Sequence, residues 1–158
     1  MNLNLAGKVA LVTGGSRGIG AAICRALAAE GVRVGVNYSA SAEQAAAVVS
    51  GIGANAVAVA GDLEQVADIP ALFDALERAF GPVDILVNNA ARCPGGPLAG
   101  YTVEEWDRTF RINVTAAFAA TQEHVRRLRA RGAKGKIVNV VSQAAYLGST
   151  SGHLPYDA

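Results

Sequence analysis

The 158-residue chain predicts an α/β protein, a doubly wound parallel sheet in three α/β/α layers, and three observations carry that prediction. Short apolar runs alternate with amphipathic helical stretches along most of the chain. The first run, Val9 to Val12, turns through glycines directly into a helix, as a strand covered on both faces does when it feeds a crossover. The last run ends at Val141, so the sheet is expected to hold five strands in the order 3-2-1-4-5, with a crevice between strands one and four.

Composition bounds the possibilities. With 51% hydrophobic and 17% charged residues, residues 1–158 suit one globular domain with a sizeable core. A formal net charge of +1 gives no bulk field for nucleic acid or a membrane surface. Cys24 and Cys93 lack any C-x-x-C or Cys/His spacing, so neither a metal site nor a disulfide framework is expected, and both are read as small reduced residues. No charged start precedes an apolar stretch and no segment approaches ~18 uninterrupted apolar residues, which points to a cytoplasmic protein.

Behind the first strand, Ile19, Ile23 and Leu27 recur at helical spacing and Gly31 is placed to end the helix in a left-handed cap. A glycine-rich turn into a helix aims free N–H groups and the positive end of the dipole at one spot, which suits a phosphate. Gly14, Gly18 and Gly20 form G-x-x-x-G-x-G, and Ala21 stands where a nucleoside-triphosphate loop needs lysine. A plain strand-to-helix turn also favours glycine, but a position between a buried strand and an amphipathic helix favours a dinucleotide.

Thr13-Gly14-Gly15-Ser16-Arg17-Gly18-Ile19-Gly20 resembles the TGxxxGIG cofactor loop of the short-chain dehydrogenases/reductases, in the manner of the NADP-dependent 3-oxoacyl-acyl-carrier-protein reductases. The resemblance implies a Rossmann-type domain using NAD or NADP, with Gly14, Ser16, Arg17, Gly18, Ile19 and Gly20 at the cofactor.

The second strand, Val32 to Val36, ends in Asn37-Tyr38-Ser39, where an NAD-selective fold would place an acid against the ribose. The next acid is Glu43, inside the following helix. Arg17 opposes the dipole of its own helix and so needs another reason to be there. By resemblance, Arg17, Asn37 and Ser39 hold the 2′-phosphate of NADP. Ser41 and Gln44 have capping-box spacing, Ala45, Val48 and Val49 continue a helix, and Gly51 or Gly53 ends it. Ala56 to Ala60 is a third strand, followed by Gly61-Asp62-Leu63. The resemblance sets Asp62 against the adenine amino group with Leu63 beside it, although a loop Asp is otherwise a turn former. Pro70 marks a helix start, with Leu72, Phe73, Leu76 and Phe80 on one face and Gly81 as the stop.

Val83 to Val87 forms a fourth strand running into Asn88-Asn89-Ala90-Ala91, which resembles the family's NNAG motif and implies that Asn89 and Ala90 wall the cofactor. Ala91 replaces the glycine, which requires a backbone without positive φ. The loop Arg92 to Tyr101 either borders a substrate site or is a mere connection. Thr102 and Glu105 open the longest helix as a capping box, with Trp106, Phe110, Asn113, Val114 and Ala117 on one face. An inward Asn113 must find partners; by resemblance it holds a helix kink and a water of a proton relay. Arg126, Arg127, Arg129 and Arg131, then Lys134 and Lys136, read as a solvated helix end, with an acidic acyl carrier protein as the second reading. Without interleaved aromatics the patch does not suit nucleic acid.

Lys136 to Val141 is the fifth strand, and Ser142 follows at its C-terminal end, where open α/β sheets place ligand chemistry. The resemblance makes Ser142 the group that binds the substrate oxygen, Tyr156 its proton donor and acceptor, and Asn113 their support; Tyr146 lies too near Ser142 to compete. The family's lysine, four positions after the tyrosine, would fall beyond Ala158. The chain thus reads as an N-terminal portion, truncated after the fifth strand, of an oligomeric enzyme, with little reductase activity expected of the 158 residues by themselves. The expected activity is NADP-dependent hydride transfer between nicotinamide and a carbonyl or secondary alcohol. A catalytically incomplete nucleotide-binding fragment or non-enzymatic module is the alternative, and a methyltransferase or epimerase fits the loop spacing less well.

Overall fold

A computed structural model describes residues 3–148 and 152–158. Its elements follow the β-α alternation: β1 (Val9–Val12), α1 (Gly18–Ala29), β2 (Arg33–Tyr38), α2 (Ala42–Ile52), β3 (Ala56–Ala60), α3 (Ile69–Phe80), β4 (Ile85–Asn88), α4 (Val103–Phe110), α5 (Ala116–Ala130), β5 (Lys136–Asn139) and the short α6 (Ala144–Leu147) and α7 (Leu154–Asp157). All strands are parallel, in the expected order β3-β2-β1-β4-β5. Val12 at the end of β1 pairs with Val36 on one side and Val87 on the other, so the loops after β1, β2 and β4 leave the sheet side by side.

The sheet separates two apolar cores. Val9 and Leu11 join Phe73 and Leu76 of α3 and Ala116 and Ala120 of α5 on one face. Ala10 and Val12 join Ala21 and Cys24 of α1 and Ala45 and Val48 of α2 on the other. Alternation of side chains along a strand produces this division. Gly35, midway along β2, leaves room for Leu76: a Cβ there would lie 2.7 Å from Leu76 Cδ2.

Helix ends follow local chemistry. Gly31, Gly53 and Gly81 take positive φ after α1, α2 and α3. Pro70 sits in the first turn of α3, where its missing N–H costs nothing. Thr102 caps α4 by accepting the Glu105 N–H at 3.1 Å, whereas Ser41 makes no side-chain cap on α2.

Several elements depart from expectation. β2 extends through Asn37 and Tyr38, and β5 stops at Asn139, although the Val140 N–H still donates to the Asn88 carbonyl at 2.9 Å. On α1 the buried residues are Gly20, Ala21 and Cys24, while Ile19 is 65% exposed. The expected long helix is broken by a π turn over Arg111–Thr115. A wider turn rotates every later side chain relative to a 3.6-residue period. The face inferred through Trp106, Phe110, Asn113, Val114 and Ala117 therefore fails: Val114 is 55% exposed, and Thr109, Ala116, Ala120, Glu123, His124 and Leu128 are the buried residues.

The basic end of α5 is only partly solvated. Arg127 donates to Asp74, Glu77 and Glu123, each at 2.6 Å, and lies over the Phe73 ring. Arg131 donates to the Val83 carbonyl at 2.7 Å and pairs with Asp84 at 3.2 Å. These residues pin α5 to α3 and to the start of β4. Cys24 is buried and Cys93 exposed, both free. Among the described residues, no helix is long and apolar enough to cross a membrane.

Candidate dinucleotide site

The site is built where β1 ends. Thr13 is buried there, and its hydroxyl donates to the Val87 carbonyl at 3.2 Å while accepting the N–H groups of Asn89 at 2.9 Å and Ala90 at 3.1 Å. Asn89 returns the contact, its Nδ2 donating to the Thr13 carbonyl at 2.9 Å and the Gly14 carbonyl at 3.2 Å. The loops after β1 and β4 are thus stapled together. Sequence reasoning counted Thr13 only as the first letter of a motif; a hydroxyl directly after a buried strand was the signal for its structural role.

Gly14 turns with φ 63°, and a Cβ on it would lie 2.9 Å from Ala90 Cα. A Cβ on Gly20 would fall 2.3 Å from the Gly14 carbonyl oxygen, so α1 begins in backbone contact with the loop. Arg17 is the N-cap of α1 in extended conformation, and no side chain caps the helix. The first helical bond runs from the Ala21 N–H to the Arg17 carbonyl at 3.1 Å, which leaves the preceding N–H groups of Gly18, Ile19 and Gly20 outside the helical ladder. Together with the helix dipole they form a cradle suited to an anion.

A cavity of about 360 Å³ opens at this point, and every residue assigned to the cofactor from sequence lines it: Gly14, Ser16, Arg17, Gly18, Ile19, Gly20, Asn37, Ser39, Asp62, Leu63, Asn89 and Ala90. Tyr38, Ser41, Gly61, Ala91, Arg92 and Ile112 complete the lining. Ser41, expected as a helix cap, makes no side-chain cap bond and lies on the cavity. Among the described residues, the only carboxylate on the lining is that of Asp62. The exposed Arg17 guanidinium has no hydrogen-bond partner among the described residues, while Arg92 is paired with Glu105 at 2.7 Å. Ala91 is free of strain, since Asn4 is the one non-glycine with positive φ among the described residues.

Three assignments are refined. Asn37 is 2% exposed and its carboxamide is engaged with backbone: Oδ1 accepts the Gly14 N–H at 3.2 Å, and Nδ2 donates to the carbonyls of Val59 at 3.2 Å and Gly61 at 3.1 Å. Both donor contacts of its carboxamide are thus made to backbone, while the residue still lines the cavity. Asp62 forms a turn, Oδ1 accepting the Glu64 N–H at 3.0 Å, and still borders the cavity. Leu63 borders it too, with its side chain buried in the core beside α3.

The reaction-side residues are less closely gathered. Asn113 lies in the π turn, half-buried, where its carboxamide accepts the Arg92 N–H at 2.8 Å and donates to the Arg92 carbonyl at 2.9 Å. Ser142 follows β5 half-buried, and its Oγ accepts the Ala144 N–H at 3.1 Å, which leaves its proton available. Tyr156 is carried by α7, which packs against α4 and α6. Among the described residues, no hydrogen bond joins its hydroxyl to Ser142 or Asn113.

The loop Arg92 to Tyr101 is tied down rather than a loose connection. The Tyr101 hydroxyl bonds the carbonyls of Pro94 and Gly152, and His153 Nδ1 lies 3.1 Å from the Pro94 oxygen. Desolvation, reinforced by the Glu105 carboxylate, raises the Tyr101 phenol above its ordinary value. Burial pushes the Cys24 thiol up to about 12, so it is no nucleophile.

Comparison with known proteins agrees with this geometry. The profile of the short chain dehydrogenase family matches residues 8–158. A short-chain type dehydrogenase/reductase from Picea abies is 39% identical over 151 residues, covering 87% of this chain and 55% of the relative. The crystal structure of a short chain dehydrogenase from Burkholderia cenocepacia in complex with NADP superposes with a TM-score of 0.88 at 41% identity, covering 97% of this chain and 62% of that one. A blue fluorescent protein from a metagenomic library, in complex with NADPH, superposes with a TM-score of 0.85 at 38% identity over 98% of this chain and 63% of that one. The chain thus spans just over half the length of the curated relative described. From its glycine loop, its sheet order and its match from Lys8 onward, the chain belongs to the short-chain dehydrogenase family of oxidoreductases.

Proposed function

We propose that the protein is an NADP-dependent oxidoreductase acting on a carbonyl or secondary alcohol. The observation that carries this reading is the joining, in one cavity, of an uncapped helix N-terminus, an unpaired Arg17 and a β2 end without a carboxylate. When bound, the nicotinamide supplies the hydride donor or acceptor. The chain's own residues bind and orient. The N–H groups of Gly18, Ile19 and Gly20 would hold the pyrophosphate, and Arg17 with Ser39 and Ser41 the 2′-phosphate. Asp62 would receive the adenine amino group, with Asn89 and Ala90 as a wall.

On the reaction side, the Ser142 hydroxyl would donate to the substrate oxygen, Tyr156 would exchange its proton, and Asn113 would hold the adjoining loop. Arg126, Arg127 and Arg131 are paired within the fold, leaving Arg129, Lys134 and Lys136 at that end of the molecule. This favours a small carbonyl substrate over one delivered by an acyl carrier protein. A nucleotide-binding module without catalysis is the second reading, favoured by the seat of Tyr156 on α7.

Fluorescence titration of NADPH and NADH against the protein expressed from its full reading frame tests the proposal. Arg17→Ala should weaken NADPH by about ten- to a hundredfold, the loss of a charge-assisted phosphate contact, and leave NADH little changed. Tighter binding of NADH by the parent would sink the NADP preference. Oxidation of NADPH with a panel of ketones and aldehydes separates the enzyme from the module.

A further inference from the structure

We propose that Asn37 is a positioning residue of the dinucleotide site, one that sets the spacing between the glycine loop and the Gly61-Asp62 wall without itself touching phosphate. The inference rests on the dinucleotide reading above and concerns how that site keeps its shape. Asn37 sits near the end of β2, in register with Val59 of β3, and is 2% exposed. On one side its Oδ1 accepts the Gly14 N–H and its backbone carbonyl accepts the Gly15 N–H at 2.8 Å. On the other its Nδ2 donates to the carbonyls of Val59 and Gly61. One side chain therefore bridges the turn that leaves β1 to the turn that leaves β3.

The residue type is demanded by this arrangement. A carboxamide carries an acceptor and a two-hydrogen donor on one short stem. Aspartate would keep the acceptor for Gly14 but turn a second oxygen toward two carbonyls. Serine offers a single hydroxyl, and alanine removes the acceptor of the Gly14 N–H and the side-chain donor to both carbonyls. Gly14 and Gly61 border the cavity from opposite sides of β2, so a change at residue 37 is transmitted to the width of the site. The reaction-side residues hang instead from the π turn and the segments after β5, on the other half of the sheet.

The test is made on the protein from its full reading frame, with Asn37→Ala and Asn37→Ser. Dissociation constants for NADPH and NADH, KM for each, kcat at saturating cofactor and the melting temperature are measured. We expect the affinity for both dinucleotides to fall in parallel by about tenfold or more, as for loss of buried hydrogen bonds, with kcat at saturation kept within about twofold. A selective loss of NADPH with NADH unchanged would overturn the proposal, because it would make Asn37 a phosphate ligand. Unchanged dissociation constants would overturn it as well, even beside a lowered melting temperature, since that pattern belongs to a residue that only supports the fold. If Asn37→Ala does not fold, Asn37→Ser carries the same expectations. Failure of the parent to bind either dinucleotide would overturn the functional reading and this proposal with it, whereas binding by the parent with indifferent variants would overturn this proposal alone.

Discussion

Asn113 and Arg92 are joined by two hydrogen bonds of opposite sense, the side-chain oxygen accepting the Arg92 N–H at 2.8 Å and the side-chain nitrogen donating to the Arg92 carbonyl at 2.9 Å. The carboxamide behaves as a neighbouring strand would, pairing a stretch of chain that has just left the sheet. The guanidinium of the same Arg92 reaches Glu105 on α4. The loop after β4 is thus held at both ends of its first residues by the helix that follows.

Asn113→Ala should therefore loosen the loop beside Ala90 and Ala91 and cost about 1–3 kcal/mol, the range for orphaning buried backbone groups. Asn113→Asp keeps the acceptor and should fall between alanine and the parent. Urea unfolding of the three proteins ranks them; an alanine variant as stable as the parent would show that water replaces the clamp.

Gly20 and Gly51 make a matched pair, because both lie in helices and only one touches anything. Helix propensity alone favours alanine at either by about 0.5–1 kcal/mol. A Cβ at Gly20 meets the Gly14 carbonyl oxygen at 2.3 Å and Asn89 Nδ2 at 2.5 Å, whereas at Gly51 nothing lies within 4 Å. Gly51→Ala should raise the melting temperature and leave NADPH binding alone. Gly20→Ala should push α1 off the loop and weaken dinucleotide binding by at least about a hundredfold, the scale of several kcal/mol of overpacking. Retained binding in Gly20→Ala would refute the close approach of helix and loop.

His124 is fully buried against Phe73, and neither ring nitrogen has a hydrogen-bond partner among the described residues. Burial, with the nearby Arg131 cation, lowers its pKa from 6.5, and the backbone of Lys136 and Asp84 and the Asp84 carboxylate offset this only in part. An unfolded chain takes up this proton near 6.5 while the folded chain resists it. The stability due to the neutral ring is thus complete above 6.5 and declines as the pH falls below that value toward the folded pKa. Glu123, held below its ordinary value chiefly by its hydrogen bond to Arg126, loses its contribution only below 4.5. Urea midpoints at pH 7.5 and 5.5 should differ more for the parent than for His124→Leu, by up to about 1.4 kcal/mol per pH unit. Equal differences would show that His124 is not the group titrating.

Strand order and the glycine loop were legible because they depend on period and on residues with few alternatives: Gly14, Gly20 and Gly31 do what only glycine does at those places. The grouping of Arg17, Ser39, Asp62 and Asn89 around one cavity follows from the parallel order of the strands, which brings their C-terminal ends together. Periodicity failed at Arg111–Thr115 because a π turn shifts the phase without leaving a glycine or proline to mark it. The bridge that Asn37 makes between two turns was not legible, because its place in sequence says where its Cα lies but not which backbone groups its carboxamide meets. Arg127 shows the same limit, since a cation near a helix end looks solvated until three carboxylates from two helices converge on it.

The division of the interior by the sheet also governs where this chain can change length. Odd and even positions of β1 face different helices, Val9 and Leu11 toward α3 and α5, Ala10 and Val12 toward α1 and α2. Adding or deleting one residue within a strand would exchange the occupants of both compartments at once. Drift in length is thereby confined to the connections, and the segment from Arg92 to Tyr101, which contains no strand, is where related sequences can diverge without disturbing either side of the partition.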